Sequence, residues 1–166
     1  MTTTNRHGSA VITLPSDTDI LITRRFDAPA DKLFAAYTTP ELVKRWWGFE
    51  TSEWLVCEID LRVGGTWRYV TREAEGFEVG FHGTYLELDG PHRLVSTEAF
   101  EGVPDGVDPD ESAAVNTVTL DEVDGVTTLT VLCHYPSQEV RDIVIESGME
   151  SGMQVSYDRM EDLVTT

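Results

Sequence analysis

Residues 137–164 read SQEVRDIVIESGMESGMQVSYDRMEDLV, and this stretch decides how the rest of the chain must fold. Ser137 opens a helical pattern that continues to Val164, whereas the sequence before it alternates as β-strands do. Apolar and small residues recur at spacings of three and four, which is the period of one helix face. We therefore expect one long terminal helix that covers a sheet with Ile145, Met149, Met153, Ser156, Met160 and Leu163.

A tandem tetrapeptide, ESGMESGM at residues 146–153, lies inside this helical pattern. A period of four nearly matches the helical repeat, so Gly148 and Gly152 should align, with Met149 and Met153 beside them. Glycine in a helix interior costs about 1 kcal/mol relative to alanine. Two interpretations follow: close packing of the helix on a sheet, with methionine filling gaps, or an adaptable cavity wall.

The remainder of the chain predicts one domain over residues 9–166, preceded by a disordered lead-in at residues 1–8. Alternating residues indicate a first strand at 9–14 and a second at 19–26. Between residues 54 and 135 the alternation returns, divided by Gly-Gly and Asp-Gly turns, and predicts a five-strand antiparallel meander. An antiparallel sheet of this size needs one face covered, which the terminal helix can provide.

Two short helices are expected between the second strand and the meander. Asp27 can cap the first helix, and Pro29 suits its first turn. The run TPE at residues 39–41 is a clear start for the second helix, which Gly48 ends. The order of elements predicts an α+β domain in which a curved antiparallel sheet wraps around the terminal helix.

Composition excludes several classes of function. The 166 residues carry 30 acidic and 12 basic side chains, and the net charge is -18. Such a surface repels phosphate backbones and anionic lipids, so we expect neither nucleic-acid nor membrane binding. No apolar run approaches the ~18 residues of a membrane span. The amino terminus lacks a secretory core, and with only two cysteines the sequence favours a cytoplasmic protein.

Most cofactor and metal chemistry has no motif in this sequence. The four histidines show no paired spacing with cysteines or acids, so we expect no metal site. The chain also lacks a nucleophile elbow, a phosphate-binding glycine loop and a dinucleotide fingerprint. We therefore expect no cofactor.

Four stretches, in their order and spacing, resemble the START-like superfamily, which is also called SRPBCC. The nearer resemblance is to its subgroup related to the C-terminal domain of the heat-shock-protein-90 ATPase activator. The resemblance extends over residues 19–164, and none of the four stretches is a catalytic motif. They read ITRRFDAPADKLFAAYTTPELVKRWWG (22–48), DLRVGGTWRYV (60–70), HGTYLELDGPHRLVSTE (82–98) and SGMESGMQVSYDRMEDL (147–163).

The resemblance implies a helix-grip fold, in which a curved antiparallel sheet wraps around a long C-terminal helix. It also implies that the space between them can hold a lipid, a sterol, a polyketide or another apolar molecule. The co-chaperone itself has a separate N-terminal domain that engages the chaperone. This chain offers no room for such a domain, so a chaperone partner is not carried over by the resemblance.

Candidate ligand-binding residues are those expected to face the space between sheet and helix. Trp46 and Trp47 point about 100° apart, so one should pack in the core while the other lines the pocket entrance. Trp67 and Tyr69 share a strand face and would form a stacking wall. The candidate set is Trp47, Trp67, Tyr69, His82, Tyr85, Asn116, Met149 and Met153.

His82 leaves two interpretations open. If Leu86 and Leu88 point inward, strand alternation turns His82 inward as well, although a β-bulge would reverse this. An inward His82 is either a hydrogen-bonded structural residue or the best general acid or base in the chain. Asn116 and Glu98 are further candidates for polar groups in the interior.

The function expected from these features is binding of a small hydrophobic or amphipathic ligand, with burial of apolar surface as the driving force. One alternative is an enzyme of the polyketide cyclase or aromatase type, with His82 and Tyr69 as catalytic residues. Another is a stand-alone interaction module that resembles a chaperone cofactor. A homodimer is compatible with all three.

Overall fold

An antiparallel sheet of eight strands forms the frame of the computed structural model, which describes residues 6–165. The strands are β1 (Val11–Thr13), β2 (Asp19–Phe26), β3 (Glu53–Ile59), β4 (Thr66–Arg72), β5 (Glu78–Asp89), β6 (Arg93–Phe100), β7 (Ala114–Val123) and β8 (Val126–His134). Across the curved sheet they lie in the order β1-β2-β8-β7-β6-β5-β4-β3. The chain therefore crosses from one side of the sheet to the opposite edge between β2 and β3, and then winds back strand by strand.

Four α-helices accompany the sheet: α1 (Ala30–Thr38), α2 (Pro40–Trp46), α3 (Gln138–Glu146) and α4 (Met149–Val164). The first two lie in the crossover between β2 and β3, and Pro40 occupies the first turn of α2. Ser137 caps α3, because its hydroxyl accepts a hydrogen bond from the Val140 backbone N–H. The predicted α+β helix-grip architecture is confirmed. Among the described residues, no helix combines the length and the apolar character that a bilayer span requires.

Two predicted details of the chain differ from the structure. The meander contains six strands, β3 to β8, because the Asp124-Gly125 turn joins two full strands. Part of the expected disordered lead-in is bonded to the domain: Arg6 pairs with Asp27, and the Gly8 N–H donates to Asp158. Residues 1–5 of that lead-in lie outside the described residues.

The prediction of one continuous terminal helix is wrong, because Gly148 divides it. Its φ of +83° is left-handed, a conformation that favours glycine and ends α3. The N–H groups of Ser147 and Gly148 donate to the last carbonyls of α3, at Ile143 and Ile145. Gly148 and Gly152 therefore do not align: the first ends α3, and the second lies within α4.

The face that α4 turns to the core differs in part from the predicted one. Tyr157, Met160 and Val164 are buried, and of these only Met160 belongs to the predicted set. Ile145 precedes the break and is 37% exposed. The break explains this difference, because residues before Gly148 no longer share the angular register of those after it. The other predicted residues, Met149, Met153, Ser156 and Leu163, are partly buried.

Arg24 of β2 ties the sheet to α4 through a buried guanidinium group. Its two terminal nitrogens lie 3.2 Å from Glu161 Oε1 and 3.1 Å from Asp158 Oδ1. One of them also donates to the Arg6 carbonyl at 2.8 Å, and the group stacks 4.4 Å from the centre of the Phe26 ring. These contacts hold α4 against β2.

Gly148→Ala and Gly152→Ala form a matched pair that tests the break in the helix. Alanine at position 148 must adopt a left-handed conformation, which should destabilise the fold by about 1–2 kcal/mol. Alanine at position 152 meets only an ordinary contact, 3.8 Å from the Phe49 ring. It should therefore stabilise α4 by about 0.5–1 kcal/mol. Urea unfolding measures both changes, and equal effects would contradict the assigned break.

Arg24→Met should strongly destabilise the domain, because it leaves Glu161 buried without its cation. Removing one partner of a buried ion pair costs about 3–5 kcal/mol. The double variant Arg24→Met/Glu161→Met should recover much of this loss, since two apolar side chains then face each other. Thermal and urea unfolding of the three proteins would measure the coupling, and purely additive effects would argue against the pair.

Candidate functional site

Strand pairing shows which side chains share the concave face of the sheet, toward the helices. Residues directly opposite each other on neighbouring strands point to the same side. Tyr69 of β4 pairs with Phe81 of β5, Tyr85 pairs with Ser96 of β6, and Ser96 pairs with Asn116 of β7. These five residues therefore belong to one face.

Six aromatic side chains pack together at the β3–β6 end of this concave face. Trp47, which follows α2, contributes a ring whose centroid lies 5.4 Å from that of Tyr69 and 5.6 Å from that of Phe81. Gly83 leaves room for the group, because a Cβ there would lie against the Trp67 indole and the Thr97 carbonyl. We call this group the aromatic wall: Trp47, Trp54, Trp67, Tyr69, Phe81 and Phe100.

Trp46 and Trp47 point to different surroundings. Trp46 is 5% exposed, and its indole N–H donates to the Ala36 carbonyl at 2.8 Å. It stacks on Tyr157 of α4, whose hydroxyl lies 3.1 Å from the Tyr37 hydroxyl. Trp46 is thus the core residue, whereas Trp47 is partly exposed at the aromatic wall.

Two surface concavities of the described residues lie away from the space between the sheet and α4. One, of about 480 Å³, lies on the outer face of β4 and β5, beside His82 and Arg68. The other, of about 290 Å³, lies between Arg45 and Arg159. Packed aromatic rings line the β3–β6 end of that space.

Glu98 is the acidic residue that the concave face carries among these rings. It lies deep in the fold, and burial raises the pKa of its carboxyl group, although the Asn116 side chain acts in the opposite direction. Part of its surface nevertheless stays accessible, as does part of Tyr37, which lies equally deep. Both polar groups that we expected inside, Glu98 and Asn116, therefore lie on the concave face.

The prediction that His82 faces the interior is wrong, because β5 contains a bulge. Tyr85 and Glu87 pair with consecutive residues of β6, so Leu86 is the extra residue, and it is 47% exposed. The bulge shifts the alternation by one position. Leu88 faces the concave side, but His82 lies on the outer face opposite Ala99.

On the outer face, His82 bridges two carboxylates from different segments. Its Nδ1 lies 2.8 Å from Glu101 Oε2, and its Nε2 lies 2.7 Å from Asp110 Oδ1. Arg68 also binds Glu101, at 2.9 Å and 3.0 Å, and its hydrogen bond lowers the pKa of that carboxyl group. His82 thereby fastens the loop at residues 101–113 over the outer concavity. In the chain from residue 6 to 165, no three acidic, histidine or cysteine side chains are arranged to hold a metal.

Among the remaining candidate residues, Trp67 and Tyr69 lie where the alternation predicts, whereas the bulge in β5 places Tyr85 on the concave face. Trp67, Tyr69 and Tyr85 are buried on the concave face. Met149 and Met153, in the first turns of α4, are partly buried and pack against the core cluster. Sequence reasoning gave less weight to Glu98 than the structure does, although an acid that follows Leu94 and Ser96 in alternation already signals an inward carboxyl group.

The bridge at His82 predicts a pH-dependent loop. Burial alone would lower the pKa of His82, but the hydrogen bonds to Asp110 and Glu101 outweigh it and raise that pKa above 6.5. A protonated ring donates to both carboxylates, whereas a neutral ring has one N–H. The fastening should be complete below the ordinary histidine pKa and should be lost as pH rises through the raised value.

Proteolysis of the 101–113 loop from about pH 5 to about pH 9, together with a titration of the His82 ring by NMR, would measure this change. Asp110→Asn should lower the ring pKa and loosen the loop at every pH. Asp105→Asn, in the same loop and exposed, is the matched control and should behave as the parent. A loop equally resistant to protease at both extremes would contradict the assignment.

Comparison with known proteins agrees with this architecture. Residues 27–165 match the family described as "Activator of Hsp90 ATPase homolog 1-like protein". Among curated proteins, none matches this chain significantly.

Several solved structures share the fold. A protein from Rhodobacter sphaeroides is 27% identical, with a TM-score of 0.83 over 94% of this chain and 98% of that chain. A protein from Staphylococcus epidermidis, also 27% identical, has a TM-score of 0.76 and covers 93% of both chains. Ms6760 from Mycobacterium smegmatis, at 24% identity, has a TM-score of 0.81 over 93% of this chain and 96% of its own. With its family match and its helix-grip fold, this chain belongs to the family of activator of Hsp90 ATPase homolog 1-like proteins, within the START-like superfamily.

Proposed function

We propose that this chain binds a small, largely apolar molecule between the aromatic wall and α4. The observation that carries the proposal is the buried carboxyl group of Glu98 on a concave face that is lined by aromatic rings. Ligand sites are mostly apolar and contain a few polar groups that fix orientation. The concave face has this composition, with Glu98 and Asn116 as its polar groups.

The aromatic wall is incompletely covered, which supports a site at this position. Phe100, at its edge, is 46% exposed, and Phe49, which lies near Gly152 of α4, is also 46% exposed. Trp47, Trp54 and Phe81 are partly exposed as well. Aromatic surface left open on a strongly acidic protein favours an apolar molecule as its cover.

The α4 side of the site can adapt to an occupant. Met149 and Met153 have flexible, polarizable side chains that fill irregular gaps and move aside at low cost. Gly148 separates α3 from α4, so the first turn of α4 is a helix end with fewer constraints than a helix interior. A ligand that enters here would displace methionine side chains and leave the buried core at Tyr157 in place.

A second candidate is proton-transfer catalysis of the cyclase type on such a ligand. The raised pKa of Glu98, caused by burial, favours this residue as the acid or base. Tyr69, a neighbour of Glu98 on the concave face, could assist. His82 does not face this site and has no part in the reaction.

Titration with decan-1-ol tests the binding proposal. Three of the four tryptophans belong to the aromatic wall, so their fluorescence should change on binding, and calorimetry should give the affinity. Met153→Trp should fill the site and weaken binding about tenfold or more. Val155→Trp, on the exposed side of α4, is the matched control and should leave affinity unchanged. Equal affinities in both variants would place the alcohol elsewhere.

A further inference from the structure

One buried acceptor on the concave face has no donor. The Asn116 Oδ1 atom is buried and has no hydrogen-bond partner. Glu98 is one β-ladder step away from Asn116: Glu98 and Ser96 alternate along β6, and Ser96 pairs with Asn116. A buried acceptor without a donor costs about 1–3 kcal/mol, so such groups in a native protein call for an explanation.

No positive charge balances Glu98 among the described residues. Among the described residues, no arginine, lysine or histidine lies within ion-pairing distance of Glu98, whereas the buried carboxylate of Glu161 pairs with Arg24. The titratable groups that respond to Glu98 come from β4, β8, the residue after β8, and α4, and burial raises the pKa of each, so all are neutral near pH 7. They are Tyr69, Cys133, Tyr135 and Tyr157.

From these two observations we infer that the ligand of the proposed site carries a protonated amine, which donates to Glu98 and Asn116 while its apolar part contacts the aromatic wall. This inference rests on the proposed function and names its ligand class. An ammonium group has three N–H donors and no acceptor, which matches a carboxylate beside an amide oxygen. Aromatic faces nearby add a favourable contact for a cation.

A carboxylic acid ligand fits the same place poorly. Its carboxylate would meet Glu98 and the unpaired Asn116 oxygen, and like charges in a site of low dielectric repel strongly. A neutral alcohol can donate one hydrogen bond and takes an intermediate position. The structure therefore ranks three ligands of equal chain length: amine first, alcohol second and carboxylic acid last.

Decylamine, decan-1-ol and decanoic acid test this ranking by calorimetry at about pH 7 and high salt, which screens the diffuse negative surface charge. The parent protein should prefer decylamine over decan-1-ol about tenfold or more. Glu98→Gln should abolish this preference and keep the affinity for the alcohol. Glu75→Gln removes one charge from an exposed turn and should retain the preference of the parent.

A pH series adds a second readout. Affinity for decylamine should fall as pH drops through the raised pKa of Glu98, since the carboxyl group then becomes neutral. Binding of the alcohol should not follow this curve.

The outcomes separate the two proposals. If decan-1-ol binds but decylamine shows no preference, or if Glu98→Gln keeps the preference, the amine assignment is overturned and the apolar site stands. If decanoic acid binds best, the amine assignment is likewise overturned. If none of the three probes binds, the proposed function fails and the inference built on it fails too.

Discussion

The buried guanidinium of Arg24 is the constraint on which the rest of the arrangement depends. It attaches α4 to β2 at one side of the sheet, through two carboxylates of that helix. Beside this attachment, the Tyr157 ring of α4 packs against Phe26 of β2, with the two ring centroids 6.1 Å apart. The opposite end of the sheet, from β3 to β6, is covered by the residues after α2 and by the aromatic wall. The concave face thus has one end next to this attachment and another end lined by the aromatic wall.

This division gives the two acids of the interior different roles. Glu161 is neutralised by a partner supplied by the fold, and it contributes to the attachment of α4. Glu98 lies on the concave face, and the group that hydrogen-bonds to it is the neighbouring side-chain amide of Asn116. The fold thus neutralises one buried carboxylate and leaves the other without a cation. A bound ligand can supply the missing partner at that place.

Sequence patterns predicted the architecture well because it depends on local signals. The proline in TPE at residues 39–41 set the start of α2, and the alternation set the inward residues Tyr69 and Asn116. Two features that each depend on a single residue were not predicted by the same reasoning. The sequence does not distinguish a glycine within a helix from one that ends a helix. The role of Gly148 therefore became clear only from its backbone angle φ. The extra residue Leu86 has no marker in an alternating strand, and the fastening at His82 needs partners 19 and 28 positions away.

That extra residue in β5 has a consequence for the chemistry of both sides of the sheet. Side chains alternate between the two faces of a strand, so one inserted residue reverses which of the preceding positions face inward. With strict alternation, an inward Leu88 would place the His82 imidazole inside and would turn the Phe81 ring toward solvent. The inserted residue keeps His82 on the outer face of the sheet and the Phe81 ring on the apolar concave face. Deletion of Leu86 alone would leave both environments in place, because Tyr85 and Glu87 already pair with consecutive residues of β6.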